Sequence, residues 1–164
     1  FNMELCDAYN KNFEKLDCVT LVRGEEIPEG VFHLVCDVIV RHRDGTWLLM
    51  QRDHRKHFGG MWEATAGGSA LRGEEPIACA MRELREETGI ETEILTELGR
   101  VVRPENRTIY AEFLCVTDCG KDAIVLQEGE TSAFRWVTGA QLRSMKKEKL
   151  ITERMQRFIG ELQE

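Results

Sequence analysis

The sequence predicts an α/β fold in which a mixed β-sheet carries helices on both of its faces. Three observations support this prediction. Short apolar, β-branched runs recur along the chain, one long segment with helical spacing interrupts them, and further helical spacing follows near the C-terminus. Strands that flank one helix and precede others can bury both faces of their sheet. We therefore expect the chain to be layered around a single sheet.

Length and composition predict one domain, which we expect to span residues 1–164. A chain of 164 residues with 42% hydrophobic and 31% charged residues is ordinary for a globular protein and buries a core without help. Residues 1–30 are expected to form an N-terminal strand extension, and residues 31–164 the core. The net charge of −7 argues against a surface that binds a nucleic-acid polymer. An anionic substrate would need metal ions or a local basic patch.

The cysteines and the apolar segments indicate a cellular compartment. The six cysteines show no CxxC pair and no spacing typical of a zinc site, and they lie among apolar residues. This pattern favours a reducing compartment. No stretch approaches the apolar length of a membrane span, and the first residues lack the architecture of a secretory signal. We therefore expect a cytoplasmic protein with no membrane partner.

The strands are predicted from apolar runs that turn residues interrupt. Residues 33–40 form a nearly continuous apolar run, which is typical of a central strand. The turn at Arg43-Asp44-Gly45 predicts a hairpin between this strand and residues 47–52. The two N-terminal strands could also pair across a homodimer. The complete set of predicted strands is 4–9, 15–23, 33–40, 47–52, 61–66, 91–103, 107–117 and 133–137.

The central helix has local start and stop signals. A glycine turn that begins at Gly68 leads into it, Gly73 or Glu74 is the expected cap, and Pro76 suits the first helical turn. Gly89 suits the position just past the helix end. The stripe expected to face the core consists of Ile77, Ala80, Met81, Leu84 and Thr88. Two further helices are predicted near the C-terminus, one capped by Thr138 and running to Met145, the other over residues 150–162.

Three carboxylates, those of Glu83, Glu86 and Glu87, fall on one face of the central helix. Like charges at this spacing destabilise an isolated helix. A divalent cation would remove the repulsion, and Mg²⁺ prefers oxygen ligands. The stretch therefore predicts a site for Mg²⁺, with Mn²⁺ as the alternative ion, at the edge of the core. The competing interpretation is a charged helix face exposed to solvent.

The same stretch resembles the signature of the Nudix hydrolases. It reads Gly68-x5-Glu74-x7-Arg82-Glu83-Leu84-x-Glu86-Glu87-x-Gly89-Ile90, which matches every specified position of that signature. The resemblance covers roughly residues 31–162. It implies the α/β/α sandwich of the Nudix fold and a small-molecule phosphoanhydride substrate. The implied reaction is hydrolysis of a diphosphate linkage in a nucleoside diphosphate derivative.

The resemblance also implies roles for individual residues. Glu83, Glu86 and Glu87 would be metal ligands, together with the backbone carbonyl of Gly67, because glycine lets the backbone approach an ion closely. Arg82 would hold Glu83 through a charge-assisted hydrogen bond. Glu74 would be mainly structural, near the start of the helix.

Two further groups of candidates lie outside the signature. Many Nudix enzymes carry a glutamate in the loop before a Trp-containing strand, which makes Glu130 a candidate metal ligand or general base, with Glu128 as the second choice. The region before the signature resembles Nudix proteins related to isopentenyl diphosphate isomerase. In that resemblance Arg52 and Lys56 would hold the substrate diphosphate. The alternative for both groups is a solvated loop.

Two other functions compete with hydrolysis. The isomerase has a catalytic cysteine where this chain has Gly67 and a histidine metal ligand where it has Ser69, so the sequence disfavours isomerisation. His33 is interpreted as a strand-end residue. A nucleotide-sensing Nudix domain without catalysis tends to lose the carboxylates of the signature, and this chain retains them. The sequence does not specify which phosphoanhydride is the substrate.

Overall fold

The computed structural model describes residues 3–145, so the helix predicted over residues 150–162 lies outside the described residues. None of the helices in the described part is long and apolar enough to cross a membrane. All six cysteines are free thiols. The elements in chain order are β1 (Leu5–Tyr9), β2 (Lys15–Val22), β3 (His33–His42), β4 (Trp47–Arg52), β5 (Trp62–Glu63), β6 (Thr65–Ser69), α1 (Pro76–Thr88), β7 (Thr96–Arg103), β8 (Thr108–Thr117), β9 (Thr131–Val137) and α2 (Gly139–Ser144).

The main sheet is mixed, as predicted. Its strands lie in the order β5-β4-β3-β8-β7, β6 also pairs with β3, and β9 also pairs with β4. The central pair, β3 with β8, is parallel, whereas the other pairs of this sheet are antiparallel. The predicted central strand thus lies in the middle of the sheet with neighbours on both sides, which explains its nearly continuous apolar run.

The predicted hairpin between β3 and β4 is present at its turn, but the two strands separate directly after it. The two strands share a single registered pair, Arg41 with Trp47. From Val35 to Ile39 the same edge of β3 is occupied by β6. β4 therefore separates from β3 and pairs along its length with β9 instead. The sheet splits at this point, and the cleft described below lies beside the split.

Two hydrophobic clusters cover the two faces of the sheet. Val38 and Val40 of β3 pack with Leu84 of α1 on one face, whereas Ile39 packs with Leu142 of α2 on the other. Successive side chains of a strand point to opposite faces, so this alternation puts one helix on each side. The predicted α/β/α sandwich is confirmed over the described residues. Thr138 caps α2 through a capping box, also as predicted.

The limits of α1 agree with the prediction, whereas its N-cap and its buried face differ from it. The N-cap is Glu75 rather than Gly73 or Glu74, and Gly89 ends the helix in the left-handed conformation at φ 78°. The buried face carries Cys79 in place of Ile77, which is 43% exposed, and Met81 is only half-buried. The helix lies close to β6 because β6 is glycine-rich, and the sulfur of Cys79 is 3.6 Å from the carbonyl oxygen of Gly68.

Three smaller expectations are also corrected. The glycines Gly67 and Gly68 belong to strand β6, antiparallel to β3, so the turn into α1 comes later, over residues 71–73. Residues 91–95 precede β7 and are not part of it. Strands β1 and β2 pair with each other, and Tyr9 connects β1 to Phe32 of the same chain. Pairing with a second copy stays a prediction.

Candidate active site

A cleft of about 270 Å³ opens between β6, α1, the end of β4 and the N-terminal hairpin. It collects all the residues that the sequence predicts for the site except Glu128, the second choice beside Glu130. From the signature and the residue before it come Gly67, Arg82, Glu83, Glu86 and Glu87. From the regions outside the signature come Arg52, Lys56 and Glu130. Glu128 is exposed and does not line the cleft.

The carboxylates of α1 reach the cleft across the glycines of β6. The amide of Gly67 donates to Oε2 of Glu87 at 3.0 Å. A β-carbon on Gly68 would lie 2.6 Å from Oε1 of Glu83, and one on Gly67 would lie 2.2 Å from the carbonyl oxygen of Cys36. A side chain at either position would therefore collide with its neighbours. The two glycines let the helix approach the strand and bring its glutamates into the cleft.

Arg82 connects the carboxylates to one another. Its Nη1 donates to Oε1 of Glu83 at 3.0 Å and to Oε2 of Glu86 at 3.1 Å. Its other donors bind the carboxylate of Glu74 and the carbonyl oxygen of Ser69, the latter at 3.2 Å. The hydrogen bond to Glu74 raises the pKa of Arg82 above its ordinary value. This permanently charged group holds two of the predicted metal ligands in one arrangement.

Burial and neighbouring negative charges disfavour ionisation of the carboxylates deeper in the cleft. Burial, together with the charges of Glu63 and Glu83, raises the pKa of Glu87 to about 9. Burial likewise raises the pKa of Glu63 to about 7, and burial raises that of Glu83. Removing a carboxylate from water disfavours its charged form unless a cation is near. A divalent ion in the cleft would favour the ionised form of these groups.

The donors present fit a hard cation. All of the acidic groups offer oxygen, the ligand type of Mg²⁺ and Mn²⁺, and the glycine backbone is open to close approach. As they stand, no three acidic, histidine or cysteine side chains within residues 3–145 enclose a common point. Glu83 and Glu86 are turned toward Arg82, and Glu87 faces the amide of Gly67. Binding an ion would draw these carboxylates away from their present donors.

Basic residues occupy the end of the cleft near β4. Nε of Arg52 donates to the carbonyl oxygen of His57 at 2.9 Å, and its Nη1 lies 3.9 Å from Oε2 of Glu63. Lys56 forms an ion pair with Glu130. The two loops also meet through their backbones, because the amide of Asp53 donates to the carbonyl oxygen of Glu130 at 3.0 Å. The two cations predicted to hold a diphosphate therefore face carboxylates in this structure.

Sequence reasoning missed four charged residues that line the cleft. Asp37 is 8% exposed, and Glu63 lies in the two-residue strand β5. Glu4 and Arg23 come from the N-terminal hairpin. For Asp37 the sequence did offer an indication, because a single acidic residue inside the apolar run of β3 is unusual and suggests a functional role. No such signal marks the other three, because strand pairing and hairpin docking place them.

His33 behaves as the sequence predicts. It is the first residue of β3, its Nε2 lies 2.7 Å from Oγ1 of Thr108, and burial lowers its pKa. It does not line the cleft. Gly67 and Ser69, which stand where the isomerase has its cysteine and histidine, do line it. The cleft therefore offers neither a thiol nor an imidazole at those two positions.

The comparison with known families agrees with this geometry. The model of the NUDIX domain matches residues 31–159, which include both the signature and the loops around the cleft. The chain belongs to the Nudix family. As a Nudix hydrolase it is an enzyme of a family that acts on small-molecule phosphoanhydrides.

Individual relatives of this Nudix chain fall into two groups. The Nudix hydrolase lmo0368 of Listeria monocytogenes is 30% identical over 145 residues, covering 88% of this chain and 85% of the relative. An isopentenyl-diphosphate Delta-isomerase of Streptomyces avermitilis is 37% identical over 91 residues, covering 52% of this chain and 46% of the isomerase. The predicted kinship with the isomerase branch is thus confirmed, over about half of the chain.

A solved structure supports the fold independently. The crystal structure of DR0079 from Deinococcus radiodurans superposes with a TM-score of 0.69 and 19% sequence identity. The superposition covers 86% of this Nudix chain and 87% of that protein. At this identity the likeness establishes the architecture of the sandwich.

Proposed function

We propose that this Nudix hydrolase is a Mg²⁺-dependent pyrophosphohydrolase that cleaves the diphosphate linkage of a nucleoside diphosphate derivative, of the nucleotide or nucleotide-sugar type. One observation carries the proposal. The carboxylates of α1 and the basic residues Arg52 and Lys56 line the same cleft. Diphosphate hydrolysis needs both, because metal ligands and phosphate-binding cations must act on one group.

The metal would be held by Glu83, Glu86, Glu87 and the backbone carbonyl of Gly67. When bound, a divalent ion neutralises phosphoryl oxygens and makes a water molecule a better nucleophile. Mn²⁺ would serve in place of Mg²⁺ because both favour oxygen ligands. Arg82 would act through the ligands, since its hydrogen bonds to Glu83 and Glu86 set their directions.

The opposite end of the cleft would hold the diphosphate. Arg52 can fork two hydrogen bonds to a phosphate, and Lys56 can bind one as a point charge. For Lys56 to do so it must leave Glu130, its present partner. Substrate binding would thereby release the Glu130 carboxylate. A released carboxylate at the cleft can accept a proton from the attacking water, which is the role proposed for Glu130.

The proposal is tested by a hydrolysis panel. Nucleoside diphosphates, nucleoside triphosphates, nucleotide sugars and dinucleotides are incubated with Mg²⁺ or Mn²⁺, and release of phosphate or nucleoside monophosphate is followed. We expect turnover of at least one class, lost on removal of metal with a chelator. We also expect Glu86→Gln to abolish turnover with an unchanged circular dichroism spectrum, whereas Glu91→Gln, at an exposed acid just past α1, retains it. Absence of hydrolysis by the folded wild type would overturn the proposal.

Isomerisation of a prenyl diphosphate is the second candidate, favoured by the partial match to the isomerase. The same preparation is incubated with isopentenyl diphosphate and Mg²⁺, and the double-bond position is followed by NMR. Gly67 and Ser69 offer no group for proton transfer to carbon, so we expect no isomerisation. Nucleotide binding without turnover of any substrate would instead indicate a sensing domain.

A further inference from the structure

The N-terminal hairpin, formed by β1 and β2, docks beside one end of the cleft. The amide of Arg72 donates to the carbonyl oxygen of Leu5 at 2.9 Å. The amide of Gly73 donates to Oδ2 of Asp7 at 2.8 Å. Both contacts lie on the turn that joins the Ser69 end of β6 to α1. The hairpin precedes residues 31–159, the part of the chain that the family model matches.

The end of the hairpin brings an arginine to the cleft. Arg23 lies just past β2, and its amide donates to the carbonyl oxygen of Glu4 at 3.0 Å, so the two residues stay adjacent. Nη1 of Arg23 binds Oε2 of Glu4 at 2.5 Å, and both side chains line the cleft. The Arg23 side chain is 63% exposed. A guanidinium has five N–H donors, and the bond to Glu4 uses one of them.

Contacts along β6 give the order of groups in the cleft. Ser69 contacts Arg82, the position of Gly68 adjoins Glu83, and the amide of Gly67 binds Glu87. Thr65 lies at the other end of the strand. Glu63 precedes it in the chain, and the side chain of Arg52 lies next to that of Glu63. A strand rises about 3.3 Å per residue, so the path from Ser69 to Thr65 is about 13 Å long. Arg23 and the Arg52–Lys56 pair therefore lie at opposite ends, with the carboxylates between them.

We propose that Arg23 is a specificity-determining residue that binds a further phosphate of the substrate, one beyond the diphosphate held by Arg52 and Lys56. The inference rests on the proposed function. A single diphosphate is too short to reach both ends of the cleft, whereas a row of three phosphates can approach both with the help of long arginine side chains. The favoured substrate class is therefore the nucleoside triphosphates. Arginine suits this task because its planar fork matches phosphate geometry.

Electrostatics explain why this end of the cleft needs a cation. Glu83 and Glu86 would repel a phosphate that extends past the metal, and Arg23 offsets that repulsion. Its hydrogen bond to Glu4, followed by the charges of Glu4 and Glu83, raises the pKa of Arg23, which is charged at every relevant pH. A phosphate would take over the donor that the Glu4 carboxylate now holds and could use the remaining donors as well.

The inference is tested by calorimetry with two non-hydrolysable probes, α,β-methylene-ADP and α,β;β,γ-bismethylene-ATP, in which methylene groups replace every bridging oxygen between phosphates, each with Mg²⁺. They differ by one phosphate. We expect the wild type to bind the triphosphate probe about 10-fold or more tightly than the diphosphate probe, the scale of one charge-assisted hydrogen bond. We expect Arg23→Ala to remove that difference while changing diphosphate affinity less than about twofold, and Arg23→Lys to retain part of it.

The matched control is Arg43→Ala. Arg43 is also an exposed arginine paired with a carboxylate, that of Asp118 at 3.6 Å, and it does not line the cleft. The Arg43→Ala substitution should leave the affinities for both probes unchanged. Equal affinity of the wild type for the two probes, or an unchanged ratio in Arg23→Ala, would overturn the inference. Because binding is measured without turnover, a negative hydrolysis panel beside a preserved probe ratio counts against the proposed hydrolysis and in favour of the Arg23 site.

Steady-state kinetics supply a second readout. If the hydrolysis panel yields a triphosphate substrate, Arg23→Ala should raise its KM about 10-fold with kcat within about twofold. A variant that lowers kcat and leaves KM unchanged would contradict a role in binding the additional phosphate.

Discussion

Arg82 and Glu74 form a two-pronged hydrogen-bonded ion pair, with Nε 2.6 Å from Oε2 and Nη2 3.0 Å from Oε1. Glu74 also accepts the amide of Leu71 at 2.9 Å. The pair therefore ties the middle of α1 to the loop that precedes it. Because the same guanidinium binds Glu83 and Glu86, the loop and two proposed metal ligands share one support.

Replacing Arg82 with lysine should weaken metal binding more than folding. A lysine keeps the charge but cannot bind Glu74 with two prongs and reach Glu83 as well. We expect a 10- to 100-fold loss of activity at limiting Mg²⁺, about the scale for residues that orient metal ligands. The measurement is hydrolysis rate against Mg²⁺ concentration. Arg100→Lys is the control, since Arg100 binds Glu97 at 2.6 Å outside the cleft, and an equal loss there would contradict the prediction.

Alanine at the two glycines of β6 should have different effects. At Gly67 the new carbon would meet the backbone of Cys36 and Asp37, which cannot move away, so we expect a loss of about 1–3 kcal/mol in the free energy of unfolding. At Gly68 it would meet the flexible carboxylate of Glu83. That variant should fold normally but lose Mg²⁺ affinity. Chemical denaturation and Mg²⁺ titration measure the two effects.

Gly99 provides the control for the glycine substitutions. A β-carbon there would have no neighbour within 4 Å, and its backbone is not in the left-handed region. Gly99→Ala should change neither stability nor metal affinity. Gly67→Ala with wild-type stability would show that the strand can move aside, which would contradict the close packing of β6 against β3.

The ion pair between Lys56 and Glu130 predicts opposite changes in KM for its two members. Glu130→Gln removes the partner that competes with substrate for Lys56, so KM should fall while kcat falls about 100-fold with the loss of the base. Lys56→Ala should raise KM. Glu128→Gln, at an exposed neighbouring acid, serves as control. Unchanged turnover in Glu130→Gln would remove the proposed role of Glu130 in proton transfer.

The raised pKa values of Glu87, about 9, and Glu63, about 7, predict a pH-dependent effect of Mg²⁺ on stability. An unfolded glutamate titrates near pH 4.3, so between that pH and the folded pKa the folded state binds more protons. Stability of the metal-free protein should therefore fall as pH rises over this window. Mg²⁺ requires ionised carboxylates, so its effect on Tm should grow from pH 6 to pH 9.

Thermal unfolding with and without Mg²⁺, at four pH values across that range, measures this dependence. Glu87→Gln should flatten it, because its amide does not titrate. Glu91→Gln, at an exposed acid, should leave the dependence as in the wild type. A Mg²⁺ effect of constant size across the range would contradict the ionisation argument.

The sequence predicts the local parts of this site well. Pro76 and Gly89 mark the ends of α1, and the spacing of its glutamates determines their common face. These features depend on residues close together in the chain. The signature itself needs no tertiary information, which is why the proposed metal-binding wall of the cleft can be predicted before the structure is known.

The rest of the cleft depends on pairings between distant residues. Asp37 reaches the site because its register partner in β6 is Gly67. Glu63 reaches it because β5 pairs with β4. Lys56 and Glu130 are 74 residues apart, so the sequence proposes each of them as a site residue but does not predict the ion pair between them. Ile77 is exposed because the contact of α1 with the glycine-rich strand β6 sets the rotation of the helix about its own axis. Hydrophobic spacing alone cannot specify that rotation.

The parallel pairing of β3 with β8 has a consequence for how the chain acquires its structure. The partners His33 and Thr108 are 75 residues apart, and the pairing continues to His42 and Thr117. Closing so large a loop is slow, because entropy is lost before stabilising contacts form. During synthesis the apolar β3 therefore emerges from the ribosome well before its partner. We expect the nascent chain to expose this strand to chaperones until β8 has been translated.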